Sequence, residues 1–304
     1  MPQQTLDQAR AGISPVNTAI AQGYQNSALV GRFLFPQVSV GMRAGKIISF
    51  GKDQFKQVAN MQRSPGGRTP RVQFGYSSSN YALVDYSIEG SLPREIQQEQ
   101  LAAEKGFTID GAQMAINNAM DIIRLRLELQ QASLATTLAN YNSGNKVTLS
   151  GTSQLSDYSG TSNPVAVVET GKEAIRQKIG RYPNTAVISP TVMAAIKQHP
   201  VIIDRMKYTG RDVVTTDILS SLWGIPNVIV GEAITASDSD VFSDVWGKHI
   251  VLAYTITGDL PSRGQPTFGY TYNLGNYPMA EPAYYEDNEK TWYFPVTACE
   301  APVI

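Results

Sequence analysis

Residues 108–141 read TIDGAQMAINNAMDIIRLRLELQQASLATTLANY, a stretch with no proline and one glycine, Gly111, near its start. Ile116, Met120, Ile123, Leu127, Leu134 and Leu138 recur at steps of three, four or seven. Ile122, Leu125, Leu129 and Ala132 form a second stripe beside the first. This spacing predicts one amphipathic helix with a wide apolar face. Thr108 or Asp110 can cap its start, Asp121 and Glu128 can each meet Arg124 at helical spacing, and Asn142-Ser143-Gly144-Asn145 supplies a stop. Some thirty residues at about 1.5 Å each give a rod of about 45 Å. Such a helix runs the length of its domain, as a spine with sheet packed on one side. A coiled coil would need a sustained heptad, and two broad stripes argue against one.

The chain has 304 residues, enough for a sizeable core and two or three lobes. Charged residues make up 17%, below the roughly 25% of an ordinary soluble domain, so less surface is set aside for water. Cys299 is the single cysteine, which rules out an intrachain disulfide. No basic-then-apolar start segment is present, so we expect cytosolic synthesis without export. No apolar run approaches 18 residues, so no membrane-spanning helix is expected.

The net charge of -1 conceals an asymmetry. Residues 1–80 hold nine Lys or Arg (Arg10, Arg32, Arg43, Lys46, Lys52, Lys56, Arg63, Arg68, Arg71) against Asp7 and Asp53, or +7; the remainder carries 16 basic and 24 acidic groups, or -8. A basic quarter joined to an acidic body is complementary to a second copy of itself. Nucleic acid is the competing partner for the basic part.

Residues 1–31 contain short alanine- and glutamine-rich pieces broken by Gly12, Pro15 and Gly23, an arm without a core of its own. Phe33-Leu34-Phe35-Pro36 is a short apolar anchor. Lys46-Ile47-Ile48-Ser49-Phe50 reads as a strand, and residues 71–77 alternate Val72, Phe74 and Tyr76 with polar or small residues as a second. Between them, residues 61–70 form a turn-rich tip bearing Arg63 and Arg68. The pair makes a long basic hairpin, which is marginal in water by itself and should lie on its own domain or a neighbour. Val84, Tyr86 and Ile88 then alternate with Asp85, Ser87 and Glu89 as a half-buried strand, and a short polar helix begins at Pro93. Residues 143–163 read as a loop with a small strand over 146–149.

From Asn163 the pattern is α/β. Asn163 caps, Pro164 takes the first helical position and Gly180 closes a helix; residues 185–188 form a buried strand. Ser189-Pro190 opens a helix that His199-Pro200 ends. Residues 217–223 form a third helix before Gly224, and strands follow over 227–230 and 250–256. The aromatic tail, residues 267–304, holds a hairpin in which Tyr284-Tyr285 and Thr291-Trp292-Tyr293-Phe294 flank a polar turn and pack back on the spine.

Chemistry is hard to find. His199 and His249 lack a cysteine or carboxylate at ligand spacing, and Cys299 has no partner motif. No P-loop, Gly-x-Gly-x-x-Gly or Gly-x-Ser-x-Gly is present. Ser64-Pro65-Gly66-Gly67-Arg68 lacks the strand-then-helix context of a phosphate cradle, and Asp238, Asp240 and Asp244 do not match an EF-hand loop. These absences point to a structural or interaction role with no cofactor and no enzymatic activity, although an α/β enzyme centred on residues 163–256 and a DNA-binding use of the basic quarter remain rivals.

The order of parts resembles the major capsid proteins of tailed bacteriophages, the Hong Kong 97-like fold. Arg63-Ser64-Pro65-Gly66-Gly67-Arg68-Thr69-Pro70-Arg71 followed by Phe74-Gly75-Tyr76 is similar to the extended loop of that family. Val187-Ile188-Ser189-Pro190 and Leu222-Trp223-Gly224-Ile225-Pro226-Asn227-Val228-Ile229-Val230 are similar to its axial lobe. The resemblance implies an α+β fold with an amino-terminal arm (1–32), an extended loop (33–80), a peripheral domain (81–162 with 268–304) and an inserted axial domain (163–267). It implies pentamers and hexamers tiling an icosahedral shell around double-stranded DNA, assembled in the bacterial cytoplasm and found in the virion. A portal protein, a separate scaffolding protein and a decoration protein are implied partners. No motif here suggests the lysine–asparagine crosslink of some members. The expected inter-subunit contacts are Arg63, Arg68, Arg71, Lys52 and Lys56. An encapsulin-like cellular compartment shares the fold and is the alternative.

Overall fold

The computed structural model describes residues 29–50, 62, 65, 67, 76–103, 111–207, 213–237, 241–256 and 267–304. Its first part runs α1 (Gly31–Leu34), β1 (Gln37–Val40), β2 (Ala44–Phe50), β3 (Tyr76–Ala82), β4 (Val84–Pro93), α2 (Arg94–Ala103) and α3 (Gly111–Thr136). The middle holds α4 (Pro164–Ile179), β5 (Thr185–Ile188), α5 (Pro190–Lys197), α6 (Pro200–Met206), α7 (Thr216–Trp223), β6 (Asn227–Val230), β7 (Ile234–Ala236), β8 (Phe242–Asp244) and β9 (Ile250–Ala253). The chain closes with β10 (Tyr270–Leu274), β11 (Met279–Ala280), β12 (Tyr284–Glu286) and β13 (Thr291–Val303).

The last strand organises the largest sheet. β13 pairs antiparallel with β4, β10, β11 and β12, and β1 joins β10 in parallel. Helix α3 lies on this sheet because its first apolar stripe meets the inward residues of two strands. Ile116, Met120 and Ile123 pack with Leu92, Phe294, Val296 and Ala298. Close approach depends on Gly90, where a Cβ would sit 2.4 Å from the Ala115 carbonyl oxygen.

The spine is shorter and less fully covered than its pattern implies. The helix ends at Thr136, and Leu138 falls in a separate 3-10 turn over Leu138–Asn140, 46% exposed. Side chains beyond the break take up the carbonyls of the last turn: Tyr141 Oη donates to Ala135 O at 2.6 Å and Asn140 Nδ2 to Leu134 O at 2.9 Å. The proposed start caps, Thr108 and Asp110, lie outside the described residues. Of the second stripe, Ala132 is buried, while Ile122 is 54% and Leu129 36% exposed. One sheet can cover only one side of a helix, so the wide apolar face is half covered.

The middle of the chain builds a three-stranded sheet in the order β6-β5-β9, with β5 parallel to β6 and antiparallel to β9. All four residues of β5 are buried. Helix α4 starts as its sequence predicts: Asn163 Oδ1 accepts from Val165 and Ala166 N–H, Pro164 follows, and Gly180 stops it at φ +70°. Its core includes Val165, Val168, Ala186, Ile188, Ile196, Leu219 and Trp223. His199-Pro200 ends α5 and also opens α6, a helix the sequence pattern does not suggest; the β7–β8 hairpin is likewise unexpected. No strand forms over 146–149, which lies between 3-10 turns at Ser143–Asn145 and Gly151–Ser153. A third core, with Val30, Leu34, Phe35, Ala132, Val187 and Trp246, joins α1, the end of the spine and the smaller sheet. Helix and sheet content is that of an α+β protein.

Strands β2 and β3 pair antiparallel from Ala44↔Ala82 to Phe50↔Tyr76. The hairpin expected from Lys46–Phe50 and residues 71–77 is therefore present at its base, with its second strand beginning at Tyr76 among the described residues; residues 71–75 lie outside them.

Candidate assembly surface

The five basic contact candidates, Lys52, Lys56, Arg63, Arg68 and Arg71, lie outside the described residues. The base of the ribbon that leads to them is described. Tyr81 stacks on Tyr272 with ring centroids 4.9 Å apart, and a Cβ at Gly45 would meet the Tyr81 ring at 2.7 Å. Arg43 pairs with Asp85 at the start of β4. The ribbon thus leaves the main sheet from a fixed stem.

A buried carboxylate fixes the chain at Val30 and Gly31. Glu128, 2% exposed, accepts from Val30 N–H at 3.0 Å, from Gly31 N–H at 2.8 Å and from Trp246 Nε1–H at 2.8 Å. Gly31 leaves no room for a side chain: a Cβ would lie 2.0 Å from Gln131 Oε1 and 2.7 Å from Glu128 Oε2. Burial pushes the Glu128 carboxyl above the usual range, with the Gly31, Trp246 and Val30 donors pulling it back. Glu128 therefore does not serve as the Arg124 partner that helical spacing suggested. Arg124, with Arg126, instead offsets the charge of Glu300 on β13, a 4% exposed carboxylate pushed up by burial.

The uncovered stripe of α3 lines two shallow grooves. The first, about 340 Å³, runs between Ile122 and Leu125 and residues Leu29, Ala233 and Ile234, with Asp121 and Glu232 at its edge. The second, about 540 Å³, is lined by Leu129, Leu134, Val84, Tyr86, Ala301 and Pro302, with the Arg126 guanidinium over the Tyr86 ring. Phe242, 68% exposed, and Ile234, 53% exposed, add apolar surface on the β7–β8 hairpin. Together these side chains leave apolar surface open to solvent.

An acidic patch lies beside β4. Tyr284 stacks on Tyr293 at 5.5 Å and donates to Glu89 at 2.9 Å, while Tyr293 donates to Glu289, which with burial holds its hydroxyl pKa at about 12. Asp287 and Glu281 are exposed nearby in sequence. This part of the body has the charge opposite to the basic quarter.

The side chains with chemical potential have structural surroundings. His199 is 1% exposed, its Nδ1 accepts from Val201 N–H at 3.3 Å, and burial lowers its pKa, so it caps α6 in the neutral form. His249 is exposed, and its backbone carbonyl accepts from Ser189 N–H. Cys299 is buried in β13 with its thiol pushed up to about 11, chiefly by burial and then by Asp85, which disfavours the nucleophilic thiolate. Asp244 accepts from Thr191 Oγ1 at 3.3 Å, and Asp238 and Asp240 lie outside the described residues. Among the described residues no group of three or more His, Cys, Asp or Glu side chains could hold a metal, and no helix is long and apolar enough to cross a membrane.

A spine helix packed on a six-stranded sheet, a paired ribbon base and exposed apolar grooves are the features on which comparison with known proteins bears. The fold is shared with the virus-like particle of Pyrococcus furiosus, with a TM-score of 0.51 at 9% identity over 95% of this chain and 91% of that one. A phage-related protein of Bordetella bronchiseptica RB50 superposes with a TM-score of 0.80 at 35% identity, covering 96% of this chain and 93% of that chain. No family model matches the sequence. The chain belongs to the major capsid proteins of bacteriophages: it is 37% identical over 273 residues to the major capsid protein of Burkholderia phage BcepMu, spanning 88% of this chain and 86% of that protein.

Proposed function

We propose that this chain is the coat subunit of a tailed-phage head with the Hong Kong 97-like arrangement. Its copies gather as pentamers and hexamers and close an icosahedral shell around double-stranded DNA. Residues 1–32 act as the arm, 33–80 as the extended loop, 81–162 with 268–304 as the peripheral domain, and 163–267 as the axial domain around the symmetry axes. The role is structural. A portal protein, a separate scaffolding protein, a decoration protein and the packaged DNA are its partners, and its place is the virion, after assembly in the host cytoplasm. The observation that carries this reading is the 37% identity to a phage major capsid protein over most of both chains.

The +7 amino-terminal quarter, through Arg63, Arg68, Arg71, Lys52 and Lys56, lies across acidic surface of neighbouring subunits such as that around Glu89 and Glu289. One exposed ion pair contributes only about 0–1 kcal/mol, so the effect depends on repetition around the shell and on buried area. Reversing Arg63, Arg68 and Arg71 to glutamate is expected to cut particle yield severely while the circular dichroism of the unassembled chain stays unchanged. Normal assembly of that variant would remove the assignment. The shared fold with the Pyrococcus furiosus particle favours, as a second reading, an encapsulin-like compartment; nucleic acid inside purified particles separates the two.

A further inference from the structure

Three consecutive residues step along the spine. Gly31 lies against Gln131 and Glu128, Val30 N–H donates to Glu128, and Leu29 sits in the groove with Leu125, Ile122 and Asp121. With falling residue number the chain therefore travels toward the start of α3. Further along in that direction, Met114 is 55% exposed, and Ile122 between them is 54% exposed. A turn of about 100° per residue sets Met114, Ile122 and Leu125 within about 80° of arc on α3. Ile116, Met120 and Ile123 lie on the other side, packed against the sheet. The open stripe thus begins where the chain enters the body.

The residues that precede this point suit the stripe. Residues 11–29, AGISPVNTAIAQGYQNSAL, contain no Asp, Glu, Lys or Arg. They bring no carboxylate to the acidic rim of the groove, Asp121 and Glu232, and bury no charge on its apolar wall. Ser14-Pro15 is a capping residue followed by a first-turn proline, and Val16, Ile20 and Tyr24 follow at steps of four. That spacing gathers three apolar side chains on one side of a helix. From Leu125 back to Met114 is about 16 Å along α3, the same length that residues 18–28 span as a helix. A second copy would have to enter past Leu29, whereas the chain's own preceding residues start there.

We propose that residues 16–28 fold back along α3 of the same chain and cover the stripe from Leu125 to Met114, so that a free subunit stores its amino-terminal segment on its own spine. A segment held this way reaches a neighbour only by leaving the groove. The inference goes beyond the coat-protein reading and concerns the single chain, so its failure would leave that reading untouched. The test uses the full-length, unassembled chain and two readouts. With Tyr24 replaced by the photocrosslinker p-benzoylphenylalanine, irradiation of the dilute chain should give a product of single-chain mass, 33.1 kDa, in which position 24 is joined to residues 114–125. The same joint in a product of twice that mass would place a second copy's segment in the groove and overturn the proposal, and so would crosslinks that miss residues 114–125. The second readout is the labelling rate of Met114→Cys with a water-soluble maleimide, against a native Cys299 that is buried. Adding Ile20→Asp should speed labelling at least about tenfold, and adding Ile20→Val should not, with near-ultraviolet circular dichroism kept in both. Equal rates with and without Ile20→Asp would overturn the proposal. Should Ile20→Asp alter the circular dichroism, the crosslink decides alone.

Discussion

Glu128 keeps a carboxylate inside the protein because three donors from distant parts of the chain converge on it. Val30 and Gly31 lie at the start of α1 and Trp246 in the turn before β9, so one side chain ties the spine to two other segments. Glu128→Ala leaves these donors unpaired in a buried site, and we expect a loss of about 3 kcal/mol in the unfolding free energy of the unassembled chain. Urea unfolding measures it, and an unchanged midpoint would show that the three bonds contribute nothing net. The sequence suggested Arg124 as the partner because helical spacing is visible in one dimension. Partners 97, 98 and 118 residues away are not. Gly31 gave no local signal either, since its need for a bare Cα comes from Gln131 and Glu128 on the spine.

Among the elements, the contact between α3 and β4 carries the main core. Gly90→Ala sets a methyl carbon 2.4 Å from the backbone oxygen of Ala115, which cannot rotate away, so the spine must lift from the sheet. We expect a cost of about 2 kcal/mol or more, read as a lower thermal midpoint; a midpoint equal to wild type would mean that the helix sits farther from the sheet than described. The spine itself was legible because an apolar period near 3.6 residues, sustained over many turns, fits a helix and no strand or loop. Which stripe would be covered was not, because that depends on the position of one sheet. Helix α4 was legible to the residue through Asn163, Pro164 and Gly180. Helix α6 was missed because Pro200 after His199 reads as a stop, although the same pair can cap and start a helix. The full length of β13 was hidden for a related reason: its Pro295 looks like a break, yet the strand continues through it to Val303.

At the scale of the whole molecule, three observations converge: kinship to phage major capsid proteins, a charge division of +7 against -8, and surfaces that the described residues leave uncovered. The family was legible from the order of elements, in which the ribbon, spine and α/β lobe follow one another with a closing strand pair. The expected contact surface rested on charge alone, and its five basic residues lie outside the described residues. The Ile122–Leu129 stripe became a surface only when the sheet was seen to lie on the other side of α3.

The central claim is that copies of this chain close into a shell. The most direct measurement is the particle mass by sedimentation, with negative-stain imaging, of the full-length protein expressed alone and together with a candidate scaffolding protein. We predict closed shells or capsomer-sized rings in at least one of the two conditions. A monomer that persists in both would contradict the claim.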